Sequence, residues 1–524
     1  MKMSEEYIIG IDLGTTYSCL AYIDEDGSPV VEKNFEQEET TPSVILFNEN
    51  GEIIVGSPAK DMAIMYPPER VITAIKRQIG TDYTVSIDGY NLTPVDLSGA
   101  ILKKMINDFN ENHMVDVKKA VITCPAYFGQ NERDATKSAG LVAGLESVTV
   151  INEPTAAAIA FGIGAAGEGK KRVMVYDLGG GTFDVTILEI DGVDFTAIAT
   201  DGERLLGGKD WDAVITKMIK QKICEENDID ESELENDDDV RQSLILDSET
   251  IKKRLSTAES TKGTMTVGGR KVVYSITRDE FEMESSSLMQ TTLEIIDRVL
   301  ALKDLSMSDI DDVILVGGSS RMPQVKNRIS EKYPDASVKI HDPDQSIAKG
   351  AAIFARSNNW AKTAESEEGI IPVLEEGEIS VHNVLSKSFG IKVSYEGRDM
   401  ISNIIFRNEV LPISALKTYQ VMEDGQTSIK VEIYENSATN NEEGVRTEIV
   451  EGVCVGDFEM ELPDGVSGDT PVYVKFTATN EGILIASAEC LDKAAQYQLQ
   501  NKLQLSAEQL KASQGLMEKV INAN

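Results

Sequence analysis

Cysteine, histidine and tryptophan are scarce in this chain, with 5, 3 and 2 copies among 524 residues. The cysteines are scattered, odd in number and form no C-x-x-C pair, which indicates reduced thiols and argues against a disulfide framework. With so few histidines and no Cys/His cluster, the sequence also argues against a zinc site.

Basic residues are also few, because 50 Lys and Arg stand against 88 Asp and Glu, a formal net charge of −38. That balance argues against nonspecific binding to nucleic acid or to an anionic membrane surface. Apolar residues make up 41% of the chain, enough for sizeable cores, yet no apolar run is long enough to span a bilayer. Since the polar N-terminus also shows no signal peptide, we expect a cytoplasmic protein.

One short pattern occurs twice, as Asp12-Leu13-Gly14-Thr15-Thr16 and as Asp177-Leu178-Gly179-Gly180-Gly181-Thr182. Each copy lies between two strand-like runs and predicts a strand, a tight turn and a second strand. Glycines let backbone N–H groups approach a phosphate, threonine hydroxyls add donors, and an Asp after a strand can hold a metal ion. A lone copy would more often be an ordinary hairpin, but the repetition indicates a duplicated domain with a cleft between its halves.

Two other glycine patterns do not predict a nucleotide site. Gly162-Ile163-Gly164-Ala165-Ala166-Gly167 matches G-x-G-x-x-G, and residues 164–171 nearly match a P-loop. Both follow a helical stretch and precede a strand, which reverses the order of the true motifs. We therefore expect a loop here and a different nucleotide-binding fold.

The chain divides into four predicted parts. Alternating strand-like and helix-like segments over residues 1–357 predict an α/β body, and the acidic stretch 358–382 is interpreted as an interdomain linker. Residues 383–505 alternate with a period of two and predict an all-β sandwich of short strands. Residues 506–524 begin with a capping box and predict a short helical tail.

Three charged residues have the chemistry that ATP hydrolysis needs. Lys76 can neutralise charge on a transferring phosphoryl group, although a surface lysine is the more common role of such a residue. Glu153 stands at a strand-to-helix junction, where a carboxylate either orients a water for in-line attack or caps the helix. Asp184 follows the second turn and either binds a metal-bound water or braces the hairpin. Catalysis would rest on positioning and charge stabilisation, without a covalent intermediate.

Together these motifs resemble the seventy-kilodalton, DnaK-type heat-shock chaperone family. The resemblance is carried by residues 9–18, 152–158, 177–184 and 315–323 and extends over about residues 7–510. It implies an actin-like ATPase domain, a duplicated ribonuclease H-like fold, followed by a β-sandwich that binds extended apolar peptides. The implied ligands are ATP or ADP with Mg²⁺ and, as an option, K⁺. The implied partners are unfolded polypeptides, a J-domain co-chaperone and a nucleotide-exchange factor.

The same resemblance implies roles for individual residues. Asp12 and Asp177 would hold hydrated Mg²⁺, with Asp184 as a further metal candidate. The implied catalytic residues are Lys76, Glu153, Asp177 and Thr182. The implied nucleotide-binding residues are Gly14, Thr15, Thr16, Tyr17, Gly179, Gly180, Gly181, Glu249, Lys252, Lys253, Ser256, Gly317, Gly318, Ser319, Arg321 and Asp344.

In the sandwich, peptide recognition by strand addition would need an apolar pocket. Ile429 and Val431 are the first candidates, followed by Met400, Ile401 and Ile404. Filling the sandwich core is an equally good interpretation of these residues.

The chain departs from the family pattern at three places. Lys253 stands where the family has Arg, whose plane stacks on adenine, so we expect weaker adenine packing that Lys253→Arg would restore. The connector Ile379-Ser380-Val381-His382 replaces a run of leucines and offers less apolar surface for the docking that couples the domains. The helical lid is nearly absent, either in a short natural member or in a truncated form, so bound peptides should escape quickly.

Other functions are open at this point. A small-molecule kinase on the same architecture is disfavoured by the all-β second half and by the lack of a recognisable sugar site. A filament-forming protein is disfavoured by the acidic linker and the appended sandwich. The main alternative is a nucleotide-binding adaptor with uncoupled domains, whose sandwich binds one fixed protein partner.

Overall fold

The computed structural model describes residues 7–164, 169–227, 229–357, 379–439, 446–479, 482–499 and 505–521. Residues 7–164 and 169–357 form two α/β halves, and residues 383–499 form an all-β part. Within the described ranges, no helix combines the length and the apolar character needed to cross a membrane.

The first half is built around one main sheet, to which a smaller sheet is attached. Its strands are β1 (Ile8–Asp12), β2 (Tyr17–Ile23), β3 (Pro29–Val31), β4 (Thr41–Pro42), β5 (Val44–Phe47), β6 (Ile53–Val55), β7 (Val71–Thr73), β8 (Val85–Ile87), β9 (Tyr90–Leu92), β10 (Lys119–Cys124) and β11 (Ser147–Asn152). Its helices are α1 (Ser57–Met62), α2 (Pro94–His113), α3 (Gln130–Val142) and α4 (Glu153–Gly164).

The second half has a sheet of its own and a larger helical share. Its strands are β12 (Lys171–Leu178), β13 (Phe183–Asp191), β14 (Asp194–Glu203), β15 (Ser260–Val267), β16 (Arg270–Thr277), β17 (Asp312–Val316) and β18 (Val338–Ile340). Its helices are α5 (Gly208–Asn227), α6 (Glu231–Glu235), α7 (Asp238–Leu255), α8 (Arg278–Glu284), α9 (Ser286–Ala301), α10 (Pro323–Lys332) and α11 (Ser346–Ser357).

The two halves repeat one topology. In the first half β1 pairs antiparallel with β2 and parallel with β10, which in turn pairs in parallel with β11. In the second half β12 pairs antiparallel with β13 and parallel with β17, which pairs in parallel with β18. The repeated strand, turn and strand predicted from the sequence is thereby confirmed.

Helices α4 and α11 occupy matching places in the two halves and pack against each other beneath the cleft. Their approach depends on glycine, because a Cβ on Gly350 would lie 1.8 Å from the carbonyl oxygen of Ala156. In the same way, a Cβ on Gly10 of β1 would lie 2.2 Å from the backbone nitrogen of Ala352. Small residues therefore set the distance between the two sheets.

The prediction of a loop at the G-x-G-x-x-G pattern is wrong for the first residues of the pattern, because α4 continues through Gly164. A Cβ on Gly162 would lie 3.2 Å from the ring of Phe195, so the glycine lets the end of the helix pack against β14. The remaining residues, 165–168, lie outside the described part of the chain.

The all-β part is a sandwich around a buried apolar core. Its strands follow β19 (Ser380–His382) and are β20 (Ser388–Tyr395), β21 (Arg398–Ile405), β22 (Ile413–Gln420), β23 (Ser428–Asn436), β24 (Thr447–Glu448), β25 (Val453–Glu461), β26 (Pro471–Ala478), β27 (Leu484–Cys490) and β28 (Lys493–Gln498). One sheet has the order β24-β21-β20-β23-β25 and the other β22-β26-β27-β28. The predicted sandwich is confirmed as an architecture.

The connector joins the second half as an edge strand. β19 pairs in parallel with β14, with Phe195 opposite Val381, and Ile379 is 5% exposed in a core cluster that includes α4 and α11. The connector, which was expected to offer little apolar surface, therefore docks through two apolar side chains and its backbone pairing with β14. Residues 358–378 lie outside the described residues, and the predicted domain boundaries stay a prediction.

The chain ends in α12 (Ala507–Met517) and β29 (Val520–Ile521). The predicted capping box is confirmed, since Ser506 Oγ accepts from the backbone N–H of Gln509 and Gln509 Oε1 accepts from that of Ser506. The helix does not lie alone in solvent, because α12 packs against α2 and α3 of the first half.

Candidate active site

A cavity of about 540 Å³ opens between the two α/β halves. That volume is in the usual range of small-ligand sites. Its walls are the two glycine turns, α7 and the segments that follow β17 and β18. All the residues predicted for nucleotide, metal and catalysis line this cavity except Gly181 and Asp184.

Six further lining residues were not predicted from the sequence. They carry no phosphate-binding or acid–base signature, and only their place in the fold brings them to the cavity. They are Thr40, Thr257, Met322, Ile340, Pro343 and Ile347.

Three aspartates form an acidic cluster at the floor of the cleft. Asp12 ends β1, Asp177 lies near the end of β12, and Asp184 faces Asp177 across the β12–β13 pair. Burial, with the nearby Glu153 carboxylate, raises the pKa of Asp12 to about 7 and raises those of Asp177 and Asp184 well above their usual range. Neither carboxylate oxygen of Asp184 has a hydrogen-bond partner among the described residues. The floor of the cleft therefore carries three buried acidic side chains with raised pKa values.

Lys76 and Glu153 form a buried ion pair beside this cluster. Lys76 lies in a short 3₁₀ helix, Ile75–Gln78, and Glu153 begins α4 at the predicted strand-to-helix junction. Lys76 Nζ is 2.5 Å from Glu153 Oε1, and both side chains are about 6% exposed. Burial acts to lower the pKa of Lys76, but the Glu153 and Asp12 carboxylates outweigh it and raise that pKa. Lys76 is thus a fixed positive charge at the cleft and not a surface lysine.

The second glycine turn is held by its carbonyl groups. The backbone N–H groups of Gly208 and Lys209 donate to the carbonyl oxygens of Gly179 and Gly180. Arg77 Nε donates to the Gly181 carbonyl oxygen at 3.0 Å. Arg77 comes from the first half, so it ties the two halves together beside Lys76. This role could not be predicted from the sequence, because it depends on a contact between distant segments.

Two lysines and a tyrosine surround Glu249 on α7 at the opening of the cleft. Lys60 Nζ lies 2.6 Å from Glu249 Oε2, Lys253 Nζ lies 2.8 Å from Glu249 Oε1, and both lysines also donate to the Tyr17 hydroxyl. Burial acts to raise the pKa of Glu249, but Lys253 and Lys60 outweigh it and lower that pKa to about 2. Because Lys60 belongs to α1 of the first half and Glu249 to α7 of the second, the Lys60–Glu249 ion pair bridges the opening of the cleft. We call this ion pair the latch.

Comparison with known proteins assigns this architecture. The sequence model described as "Hsp70 protein" matches residues 8–88 and 83–523. "Chaperone protein DnaK" of Thermotoga petrophila is 38% identical over 499 residues, which cover 94% of this chain and 79% of that protein. The proteins of the same name from Thermosipho africanus and Thermosipho melanesiensis are 38% and 37% identical over the same shares. The chain belongs to the Hsp70 family.

Hsp70 proteins are ATP-dependent molecular chaperones, so this chain is an ATPase that acts in protein folding and in the stress response. The family combines an actin-like ATPase domain with a β-sandwich, and the α/β and all-β parts described above agree with that arrangement. Family members bind ATP or ADP with Mg²⁺, unfolded polypeptides and co-chaperones. The uncoupled adaptor considered from the sequence is not favoured.

The lysine that replaces the usual Hsp70 arginine points across the cleft. Lys253 Nζ lies 4.3 Å from the centre of the Tyr17 ring, in addition to its contacts with Glu249 and the Tyr17 hydroxyl. Its ammonium group therefore interacts with the first turn. Weaker adenine packing in this Hsp70 stays a prediction.

The residues predicted for the Hsp70 peptide site differ in burial. Ile404 and Val431 belong to the sandwich core, and Ile401 is fully buried outside that cluster. Ile429 packs at the margin of the core, and Met400 is half-buried. The peptide-binding role of these five residues stays a prediction.

We expect Lys60→Ala to speed nucleotide release from this Hsp70 about threefold to tenfold, because a half-buried ion pair across the opening is lost. Stopped-flow release of a fluorescent ADP analogue measures the rate. Lys326→Ala, which removes an exposed lysine of α10, is the control. Equal release from both variants would show that the latch does not retain nucleotide.

Proposed function

We propose that Asp12 and Asp177 hold Mg²⁺ mainly through water, with Asp184 behind them as a further acidic partner. Mg²⁺ commonly keeps several waters and is held by one or two carboxylates together with substrate phosphates, which fits the aspartates that line this cavity. Burial and the Glu153 carboxylate raise the pKa values of these aspartates because they disfavour the negative form, and a divalent cation would compensate that negative charge. When bound, Mg²⁺ supplies charge neutralisation to the phosphates. K⁺ is a candidate second ion at the same cluster.

Lys76 and Glu153 are the proposed catalytic pair. Lys76 neutralises charge on the transferring phosphoryl group, and Glu153 orients the attacking water. Thr15, Thr16 and Thr182 contact phosphates or that water. The adenosine end is formed by α7, by the turn after β17 and by Asp344. Support for these roles is that the residues converge on one cavity from separate segments.

Coupling between the domains is proposed from a hydrogen bond that Asn152, the residue before Glu153, makes to Asn383. Asn152, the preceding residue, donates from Nδ2 to Asn383 Oδ1 at 2.9 Å, directly after the connector strand β19. A nucleotide that moves the Lys76–Glu153 pair therefore acts on the connector through one neighbouring residue. We propose that ATP controls peptide affinity of the sandwich along this route.

The first experiment measures dissociation of a fluorescent apolar peptide bound with ADP, before and after ATP is added. We expect ATP to speed release in the wild type, and Asn383→Ala to weaken that acceleration. Asn50→Ala removes an exposed amide of the ATPase body and serves as the control. ATP that binds but leaves release unchanged in the wild type would contradict coupling. Equal acceleration in wild type and Asn383→Ala would contradict the route.

Partners and location are proposed from the family. We expect a J-domain co-chaperone, a nucleotide-exchange factor and apolar segments of unfolded polypeptides as partners, in the cytoplasm. The proposed domains are 1–357, 358–382, 383–505 and 506–524, although Ser380–His382 forms an edge strand of the second half.

A carboxylate pair makes the domain contact sensitive to pH. A Cβ on Gly129 would lie 3.2 Å from Glu132 Oε2 and 3.5 Å from Glu435 Oε2, so carboxylates of α3 and of β23 meet there. Burial and Glu132 raise the pKa of Glu435 to about 7, against the opposing effect of Lys387. A pKa raised on docking means that docking is strongest below the ordinary carboxyl pKa and weakens as the pH rises towards 7.

Glu435→Gln is therefore expected to strengthen docking about tenfold at pH 8 and to remove most of its pH dependence. Hydrogen exchange of β19 amides between pH 6 and 8, corrected for intrinsic exchange, measures docking. Glu432→Gln on the same strand is the control, because Glu432 pairs with Lys392 within the sandwich. If both variants keep the wild-type pH profile, the carboxylate pair does not govern docking.

A further inference from the structure

The C-terminal residues 505–521, called the tail segment below, are built into the first half of the ATPase body. Met517 is 2% and Val520 7% exposed, and both belong to the core cluster of that half. Ser513 Oγ donates to Asp96 Oδ1 of α2, and Gln514 Nε2 donates to the Leu141 carbonyl oxygen of α3. The tail segment is therefore held by apolar burial and by side-chain hydrogen bonds together.

The tail segment also adds a strand to a sheet. β29 pairs in parallel with β6, so that the small sheet has the order β29-β6-β5-β7. The backbone N–H of Ile53 donates to the Lys519 carbonyl oxygen at 2.9 Å, and Lys519 Nζ bonds the Tyr90 hydroxyl. Strand addition satisfies an edge that would otherwise expose unpaired backbone groups.

The sandwich is consequently attached to both halves. It follows β19, which lies on the sheet of the second half, and it precedes the tail segment, which adds a strand to a sheet of the first half. Ser357 and Ile379, on either side of the acidic stretch, are 22 residues apart and can separate by about 75 Å. Leu499 and Leu505 are only six residues apart and can separate by at most about 20 Å.

We propose that the tail segment is an intramolecular tether: while it stays docked, the sandwich end at Leu499 stays within about 20 Å of Leu505 after β19 leaves β14. A short tether keeps the sandwich at a high effective concentration near its docking site, so that redocking is fast. This inference rests on the proposed function only in that coupling is taken to release β19 from β14 in the ADP-bound state.

The test lengthens the tether without touching any docked residue. A 20-residue Gly/Ser insertion between Leu499 and Leu505 spans about 25 Å. We expect it to increase the maximum dimension of the ADP-bound chain in small-angle scattering by about 20 Å. The matched control is the same insertion between Ser357 and Ile379, which should leave that dimension nearly unchanged. Equal expansion by both insertions would overturn the tether.

Repeating the test in a double variant with weakened β19 docking distinguishes the tether from nucleotide coupling. Val381→Asp with Arg407→Ala weakens the docking of β19 and removes the ion pair to Asp201, whatever nucleotide is bound. In that background the two insertions should differ as above, even if ADP and ATP act alike in the wild type. No difference there overturns the tether, whereas a lost nucleotide effect alone overturns only the coupling.

Release of the tail segment gives an independent readout. Met517→Asp buries a charge and should expose the Ile53 amide to fast hydrogen exchange and expand the ADP-bound chain. Ala512→Asp adds the same charge at an exposed place on the same helix and should do neither. If Met517→Asp, combined with Val381→Asp and Arg407→Ala, frees the Ile53 amide without expanding the chain, the tether is overturned.

Discussion

A chain that carries Lys76→Met is expected to hydrolyse ATP about a hundredfold to a thousandfold more slowly than the wild type. Lys76 is a buried, fixed charge 2.5 Å from Glu153, next to Asp12 at the floor of the cavity. Methionine fills a similar volume but leaves the phosphoryl charge and the Glu153 carboxylate without a positive partner. Single-turnover hydrolysis measures the chemical step, and titration with a fluorescent ATP analogue measures binding separately.

Measuring hydrolysis and binding separately distinguishes a catalytic role of Lys76 from a purely structural one. A catalytic lysine should change the hydrolysis rate far more than the affinity, because the charge to be neutralised grows during transfer. Lys326→Met on α10 is the matched control and should change neither. A loss in hydrolysis below about threefold, with the fold intact, would assign Lys76 to structure and leave catalysis to other residues.

Features of the fold that depend on local sequence could be predicted. Both glycine turns follow from short residue patterns, because an Asp after an apolar strand and glycines at close approach are visible in a few neighbouring residues. Glu153 was placed correctly at a strand-to-helix junction for the same reason. The cavity then follows from the repetition, since each half brings one turn to the shared cleft.

Contacts between distant segments could not be predicted in this way. Arg77 fixes the second turn and Lys60 latches the cleft, yet each is an ordinary basic residue in its local sequence. Their roles exist only because the two halves face each other. Sequence periodicity reports which side of an element is buried, but it does not report the opposite partner.

The connector and the tail segment illustrate the same limit for strands. Ile379 and Val381 are too few to suggest docking, but the free edge of β14 gives them backbone partners. Val520 and Ile521 are likewise too short to predict a strand without the edge of β6. A strand that completes an existing sheet needs little apolar sequence, because the hydrogen bonds of the edge are already in place.

The second large effect concerns the helices beneath the cleft. Gly350→Ala is expected to destabilise the ATPase body by about 3 kcal/mol or more. The new Cβ would lie 1.8 Å from the Ala156 carbonyl oxygen and 2.5 Å from its carbon, and no side-chain rotation relieves a clash with backbone. Helices α4 and α11 would have to move apart, and Glu153 at the start of α4 would move with them. Urea unfolding followed by the fluorescence of tryptophan, including buried Trp211, measures the loss.

Gly515→Ala separates the clash from the ordinary effect of replacing a helical glycine. A Cβ on Gly515 of α12 meets nothing within 4 Å, so alanine there should stabilise the helix by about 0.5–1 kcal/mol. The two substitutions are chemically identical and differ only in what the added methyl group meets. Opposite shifts of the urea midpoint would mean that α4 and α11 touch at Gly350. A Gly350→Ala midpoint equal to that of the wild type would mean that the helices are farther apart, so that the α4–α11 contact does not fix the position of Glu153.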